Sequence, residues 1–160
     1  MQVGLISDTH GLVRPEALAA LAGVARVVHA GDVGGRHVLD ALSAIAPVTA
    51  VRGNNDDDAF GRTLPERATI TLGGARVHVV HERAHVALDE HVALVVTGHS
   101  HRPAIEARDG VTWIDPGSAG PRRFSLPITI ARIEIVRGVV RDARIVTLDV
   151  APPRGRARKR

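Results

Sequence analysis

No cysteine occurs anywhere in the 160 residues. Disulfides, thiolate metal ligands, iron–sulfur clusters and a cysteine nucleophile are therefore excluded together. Tyrosine is absent as well, and aromatic residues make up only 2% of the chain. A core must be assembled from Val, Leu, Ile and Ala, a composition that suits buried parallel strands covered by helices. The same shortage argues against a base-stacking surface for single-stranded nucleic acid. No apolar run approaches the roughly 20 residues that a bilayer-spanning helix needs. The opening stretch, Met1 to Asp8, reaches a charge too soon for a secretory leader, so a cytoplasmic chain with no membrane partner is expected. Against these absences stands an ordinary 44% of apolar residues, in a length that fits one domain.

The net charge of +4 is unevenly placed. Arg154, Arg156, Arg158, Lys159 and Arg160 carry five positive charges, and without them the formal charge is −1. A near-neutral domain over residues 1–151 is expected, followed by a disordered basic tail over 152–160. A solvated terminus is the plain reading of that tail. Contact with nucleic acid is expected only through it, and a homo-oligomer is left open by the sequence.

Short apolar runs recur along the chain, most of them ending in a loop with a chemically useful residue. Val3–Ile6, Val27–His29 and Val48–Val51 read as strands, separated by helices over Pro15–Gly23 and Arg36–Ile45. Pro15 suits a first helical turn and Gly23 a helix exit. The second half is mostly strands. Ala68–Leu72 and Ala75–Val80 flank Gly73-Gly74, Ile105–Ala107 and Val111–Ile114 flank Asp109-Gly110, and Pro127–Val136 and Val139–Leu148 flank Gly138; Val92–Val96 stands between the first two pairs. This is a βαβαβ beginning followed by hairpins, hence an α/β class with a mixed, layered sheet structure.

Asp8, His10, Asp32, Asn54, His81, His99 and His101 all fall at or just past the C-terminal ends of these strands. Ligand-binding loops of α/β sheets gather at that edge. Asp8 and His10 are two residues apart, as are His99 and His101, so each pair can aim at a common ion from extended backbone. Imidazole, carboxylate and amide donors without sulfur suit Mn²⁺, Fe or Zn²⁺. One carboxylate can bridge two ions some 3.5–4 Å apart, the spacing of a phosphoryl-transfer clamp. Each short motif is weak by itself; the ordered set is specific.

That set, Asp8-x-His10, Gly31-Asp32, Gly53-Asn54, His81 and Gly98-His99-x-His101, resembles the calcineurin-like metallophosphoesterase superfamily over about residues 1 to 150. Ser7-Asp8-Thr9-His10-Gly11 and Asp115-Pro116-Gly117-Ser118, with Pro121-Arg122 after it, resemble the small YfcE-type phosphodiesterase group. The resemblance implies a four-layer αββα sandwich and two divalent ions, Mn²⁺ first, with Fe, Zn²⁺ or Ni²⁺ as alternatives. One ion would take Asp8, His10, Asp32 and His101. The other would share Asp32 and add Asn54, His81 and His99. A hydroxide between the ions would then attack a small phosphate ester, a diester by preference, in line with the departing oxygen.

Three positions depart from the family pattern. Asn55 stands where the superfamily has a His that assists the leaving group and the small group often a Cys; an amide cannot act as a general acid. Asn55 is thus expected to contact substrate beside Asp32 and Asn54 without supplying a proton. Glu82 follows His81 in place of a Gly, and Asp115 replaces an Asn. Arg122 and Arg123 are candidates for a substrate phosphate. His29 reads as a core or supporting imidazole, Asp56 as an orienting carboxylate and Trp113 as packing. Two readings compete with the enzyme: a catalytically silent protein-interaction scaffold on the same fold, of which the retromer subunit is the precedent, and a nuclease.

Overall fold

Residues 1–88 and 91–151 are described by the computed structural model; the basic tail expected over 152–160 lies outside them. The Val- and Ile-rich runs form ten strands: β1 (Gln2–Ile6), β2 (Arg26–His29), β3 (Val48–Ala50), β4 (Arg67–Leu72), β5 (Ala75–Val80), β6 (Val92–Val96), β7 (Ala104–Arg108), β8 (Val111–Asp115), β9 (Thr129–Val136) and β10 (Val139–Thr147). Two helices, α1 (Pro15–Ala20) and α2 (Arg36–Ser43), connect β1, β2 and β3. Pro15 opens α1 with Glu16 in its first turn, both favourable at a helix N-terminus. The helix ends three residues before Gly23, with the Leu21 N–H on the Ala17 carbonyl, because the left-handed Gly23 (φ 78°) closes the turn that follows.

The strands make two five-stranded mixed sheets, ordered β10-β9-β1-β2-β3 and β4-β5-β6-β8-β7. β1, β2 and β3 are mutually parallel, as are β5, β6 and β8. Hairpins close the antiparallel edges, and their turn residues explain why. Gly73-Gly74, Asp109-Gly110 and Arg137-Gly138 all hold φ between 50° and 86°, the left-handed pair that matches strand twist.

Alternation divides the apolar residues between two cores. Val3, Leu5, Val28 and Ile133 of the first sheet meet Leu72, Val77, Leu94 and Ile114 of the second. The opposite face of the first sheet, with Ile6, Val27 and Ile130, receives Ala17 and Leu21 from the first connection and Val38 and Leu42 of α2. Each such Val or Leu contributes roughly 1.5–3 kcal/mol by leaving water. This is the layered α/β sandwich expected from the sequence, with few helices. Among the described residues no helix is long and apolar enough to cross a membrane.

The consequence for function is convergence. The loops leaving the parallel strands are stitched to one another: Asp8 N–H to Gly31 O, His10 N–H to Asp32 O, Gly98 N–H to His81 O, and Ala119 N–H to Ser7 O, each between 2.9 and 3.1 Å. The C-terminal ends of both sheets therefore share one edge.

Candidate metal centre

At that edge the seven residues singled out by the sequence come together. His101 Nε2 lies 3.1 Å from Asp8 Oδ1, and His10 Nε2 lies 4.0 Å from the same oxygen. Asp32 Oδ2 lies 3.7 Å from His10 Nε2 and 3.4 Å from His81 Nε2. Asn54 Oδ1 is 3.0 Å from both His81 Nε2 and His99 Nδ1. Asp8, His10 and His101 offer donor atoms within 4.8 Å of one another, as do Asp8, Asp32 and His81. Donors bound 2.0–2.2 Å from one ion sit about 3–3.5 Å apart in tetrahedral arrangements, so the shorter separations fit shared coordination.

The backbone is held in an unusual state to achieve this. Asp8, His10, Asp32, His99 and His101 all have φ between 47° and 70°, a left-handed conformation that costs a non-glycine residue roughly 1–3 kcal/mol. Close approach of the loops depends on missing side chains: a Cβ at Gly98 would lie 2.0 Å from Ser7 Oγ and 2.9 Å from Asp8 Oδ2.

The remaining bonds orient the donors. Asp8 Oδ2 accepts from Ser7 Oγ–H at 2.6 Å and from the His99 N–H at 3.1 Å. Its other oxygen, Oδ1, is buried with no hydrogen-bond partner, and so are His10 Nε2 and His101 Nδ1. Leaving such atoms unsatisfied is costly, and it is the arrangement a cation would relieve. The His81 ring gives its Nδ1–H to Ala30 O at 2.7 Å, which turns the Nε2 lone pair inward. Burial opposes charge on His81, but Asp32 and Asp8 outweigh it and raise this imidazole to about 9 in the metal-free protein. Burial likewise opposes ionisation of Asp32, and is outweighed by His81 and by Asn55, so this carboxyl is held well below its usual range.

Two supports lie behind these residues. Asp56 is buried and accepts from Val33 N–H (3.0 Å), Gly34 N–H (2.9 Å) and Gly53 N–H (2.9 Å), so it ties the Asp32 loop to the Asn54 loop. His29 accepts the Gly31 N–H at Nδ1 (3.2 Å) and faces Thr9 Oγ1 from Nε2 (2.9 Å). Full burial lowers its pKa to about 4, so it is a neutral supporting ring. Ser7 was not singled out by sequence reasoning; its only signal was its place before Asp8.

Asn55 and the arginines are less simply placed. Asn55 gives its backbone N–H to Asp32 Oδ1 (2.8 Å) and its Nδ2–H to Asp32 Oδ2 (2.7 Å). Arg122 donates to Val150 O at 3.3 Å. The Arg123 side chain, in contrast, makes no hydrogen bond or ion pair among the described residues, and its charge acts on His10. Burial is the main cause of the lowered His10 pKa, and Arg123 adds to it against the pull of Asp32 and Asp8. The loop carrying it is pinned at its base, where Arg14 donates to Ala119 O and Gly120 O and Ser118 Oγ–H donates to Asp8 O.

Asp115 is buried, not solvated. It accepts from Ser100 Oγ–H (2.7 Å) and Gly117 N–H (2.9 Å). Burial, with added repulsion from Asp8, raises its pKa to about 6 against those bonds. A carboxyl whose folded pKa exceeds its unfolded value near 3.8 weakens the fold as pH rises between the two, and the loss persists above both. Asp115→Asn is therefore expected to stabilise the metal-free protein by about 1–3 kcal/mol at pH 8 and by almost nothing at pH 4. Thermal melts at both values check it; an equal shift at the two would refute the electrostatic cause.

Comparison with known proteins agrees with this geometry. Residues 1–138 match the family model of the calcineurin-like phosphoesterase superfamily domain. A probable metallophosphoesterase of Methanothermobacter thermautotrophicus is 30% identical, with 91% of this chain and 92% of that protein covered. The chain belongs to this superfamily. Its fold is shared with an archaeal phosphodiesterase (TM-score 0.76, 20% identity, 92% of this chain and 100% of that one). It is also shared with the Escherichia coli phosphoesterase YfcE (0.67, 22%, 93% and 100%) and with zinc-complexed Vps29 of Entamoeba histolytica (0.69, 23%, 92% and 99%).

Proposed function

We propose that this member of the calcineurin-like phosphoesterase superfamily is a cytoplasmic, metal-dependent phosphodiesterase acting on small phosphate esters, with residues 1–151 as its catalytic domain. The observation that carries this reading is the buried, unpartnered Asp8 Oδ1 facing His10 and His101 across 4.0 and 3.1 Å. Asp8, His10, Asp32 and His101 would hold one divalent ion. Asp32, Asn54, His81 and His99 would hold the second, with Asp32 shared: its Oδ2 lies 3.7 Å from His10 Nε2 and 3.4 Å from His81 Nε2. Nitrogen and oxygen donors without thiolate favour Mn²⁺, with Fe, Zn²⁺ or Ni²⁺ able to substitute. Two such ions supply Lewis acidity, an activated water and neutralisation of phosphoryl charge.

The chain's own residues then do three things. Ser7 and the His99 N–H fix one oxygen of Asp8 so that the other is presented inward. Asn55 fixes both oxygens of Asp32. Arg123, its side chain free of other partners, meets the substrate anion, the role for which both Arg122 and Arg123 were sequence candidates. The Asn55 amide is committed to Asp32 and has no proton to give a leaving oxygen. A diester with an acidic leaving group is the substrate that such a site serves best.

Metal-stripped protein given Mn²⁺, Zn²⁺, Mg²⁺ or Ni²⁺ in turn is expected to hydrolyse bis(4-nitrophenyl) phosphate faster than 4-nitrophenyl phosphate. Bound metal without turnover on either ester would defeat the enzyme reading and favour a binding role. Arg123→Ala should raise KM roughly ten- to a hundredfold, the loss of a charge-assisted contact, with kcat little changed. Arg122→Ala should leave both constants as they are. The reverse pattern would return the role to Arg122.

A further inference from the structure

Two clefts open beside the centre. The larger, about 490 Å³, passes Asn54 and His81 between Arg52, Glu66 and His85. The smaller, about 230 Å³, passes His99 between Arg83, Trp113 and Glu106. The segment after β5 separates them, since Glu82 and His85 line the larger cleft while Arg83 lines the smaller. A phosphomonoester has one organic arm and a phosphodiester two, and a centre flanked by two clefts can seat both.

The clefts differ in chemistry. In the larger, Arg52 is paired with Glu66, and no aromatic ring except imidazole lines it. In the smaller, the Arg83 guanidinium carbon lies 4.9 Å from the centre of the Trp113 indole. Glu106 stands opposite Trp113 in the β7–β8 register and accepts from both terminal nitrogens of Arg83, at 2.9 and 2.7 Å. That bidentate pairing uses the in-plane donors of the guanidinium and neutralises its charge. What remains for a ligand is the outer face of a guanidinium backed by the indole it lies over, a flat surface that attracts another planar ring and offers little to an anion. The volume is below the usual 300–1,000 Å³ of a whole-ligand pocket, the size of one group of a larger molecule.

We infer that the cleft at Arg83 and Trp113 is the subsite for one arm of a phosphodiester and takes a planar unsaturated ring, of the aryl or nucleobase class. The inference rests on the phosphodiesterase reading of the adjoining centre. Glu82 in place of the family's Gly begins the wall between the clefts, and Arg83 extends it onto the indole.

The chain contains one Trp and no Tyr, so its indole emission reports on Trp113 alone. The zinc-loaded protein is titrated with 4-nitrobenzylphosphonate, which cannot be hydrolysed and whose nitroaromatic ring quenches indole emission. Methylphosphonate is the ringless control. Saturable quenching by the ring probe, reversed by excess methylphosphonate, is expected, with none from methylphosphonate alone. Calorimetry should give the ring probe about tenfold tighter binding than the control, a stacking-sized difference, with the ratio falling to near one in Trp113→Leu. Binding of both phosphonates without quenching overturns the inference. So does an equal loss for both in Trp113→Leu, or no binding of the ring probe at all. The phosphodiesterase reading fails separately, by absence of metal-dependent hydrolysis of bis(4-nitrophenyl) phosphate.

Discussion

Asp32→Ala is expected to lower kcat/KM for bis(4-nitrophenyl) phosphate by about 10³-fold or more, and to reduce tightly held metal from two ions per chain to one or none. The reason is the position of this one carboxylate. Its Oδ2 lies 3.7 Å from His10 Nε2 and 3.4 Å from His81 Nε2, so it stands between a donor of each group. Its charge is also built into the loop, through the two N–H groups of Asn55. Because its folded pKa is depressed, Asp32 stabilises the metal-free protein above the unfolded carboxylate value, and that contribution is lost as pH falls. Alanine would have to hold the same φ of 53° without the local side-chain bonds that let an Asp tolerate it, so both effects lower the melting temperature. Asp32→Asn separates shape from charge: it keeps the side-chain volume, loses the anion, and should lose metal nearly as fully as the alanine variant. Metal analysis by mass spectrometry, beside circular dichroism to show a retained fold, reads this directly. Two ions retained by folded Asp32→Ala, with wild-type turnover, would remove Asp32 from the centre.

Much of this arrangement was legible in the sequence, and the reasons differ by element. Strands were readable because short apolar runs are bounded by turn residues, and the hairpin pairs by Gly73-Gly74, Asp109-Gly110 and Gly138, whose φ preference dictates a turn. The seven donors were readable because each follows such a run, and a parallel strand delivers the residue after it to one edge. The left-handed backbone of five of them was not readable, since non-glycine residues at positive φ are held there by the surrounding loops and not by local preference. Arg122 and Arg123 differ by one position in an irregular loop, where no periodicity says which side chain faces the centre. Trp113 read as packing because one indole in an alternating strand carries no sign of what lies over it. The Arg83 that lies over it is thirty residues away in sequence, with strands β6 and β7 between. Asp115 could not be assigned to burial or solvent, because that depends on the Ser100 hydroxyl that reaches it from the Gly98–His101 loop.

Asn55→His should change which esters the protein cleaves more than how fast it cleaves the easy ones. In the wild type the Asn55 amide is turned onto Asp32, and an amide has no proton to give a departing alkoxide. Hydrolysis is therefore expected to slow steeply as the leaving group becomes more basic, from 4-nitrophenolate through phenolate to an alkoxide. An imidazole at this position can act as a general acid, an effect typically worth 10²–10⁴-fold. Asn55→His is expected to gain about 10²-fold on phenyl and alkyl esters and no more than a few-fold on the 4-nitrophenyl ester, where no proton is needed. The backbone N–H of residue 55 still reaches Asp32, so the Asp32 loop keeps one of its two anchors. The lost side-chain bond to the Asp32 carboxylate should cost about 1.5–3 kcal/mol. Rates across a series of aryl and alkyl methyl phosphates, plotted against leaving-group pKa for both proteins, give the answer. A flat wild-type line would mean that protonation of the leaving oxygen is already supplied by water or by another group. Parallel lines would mean that residue 55 acts only through Asp32.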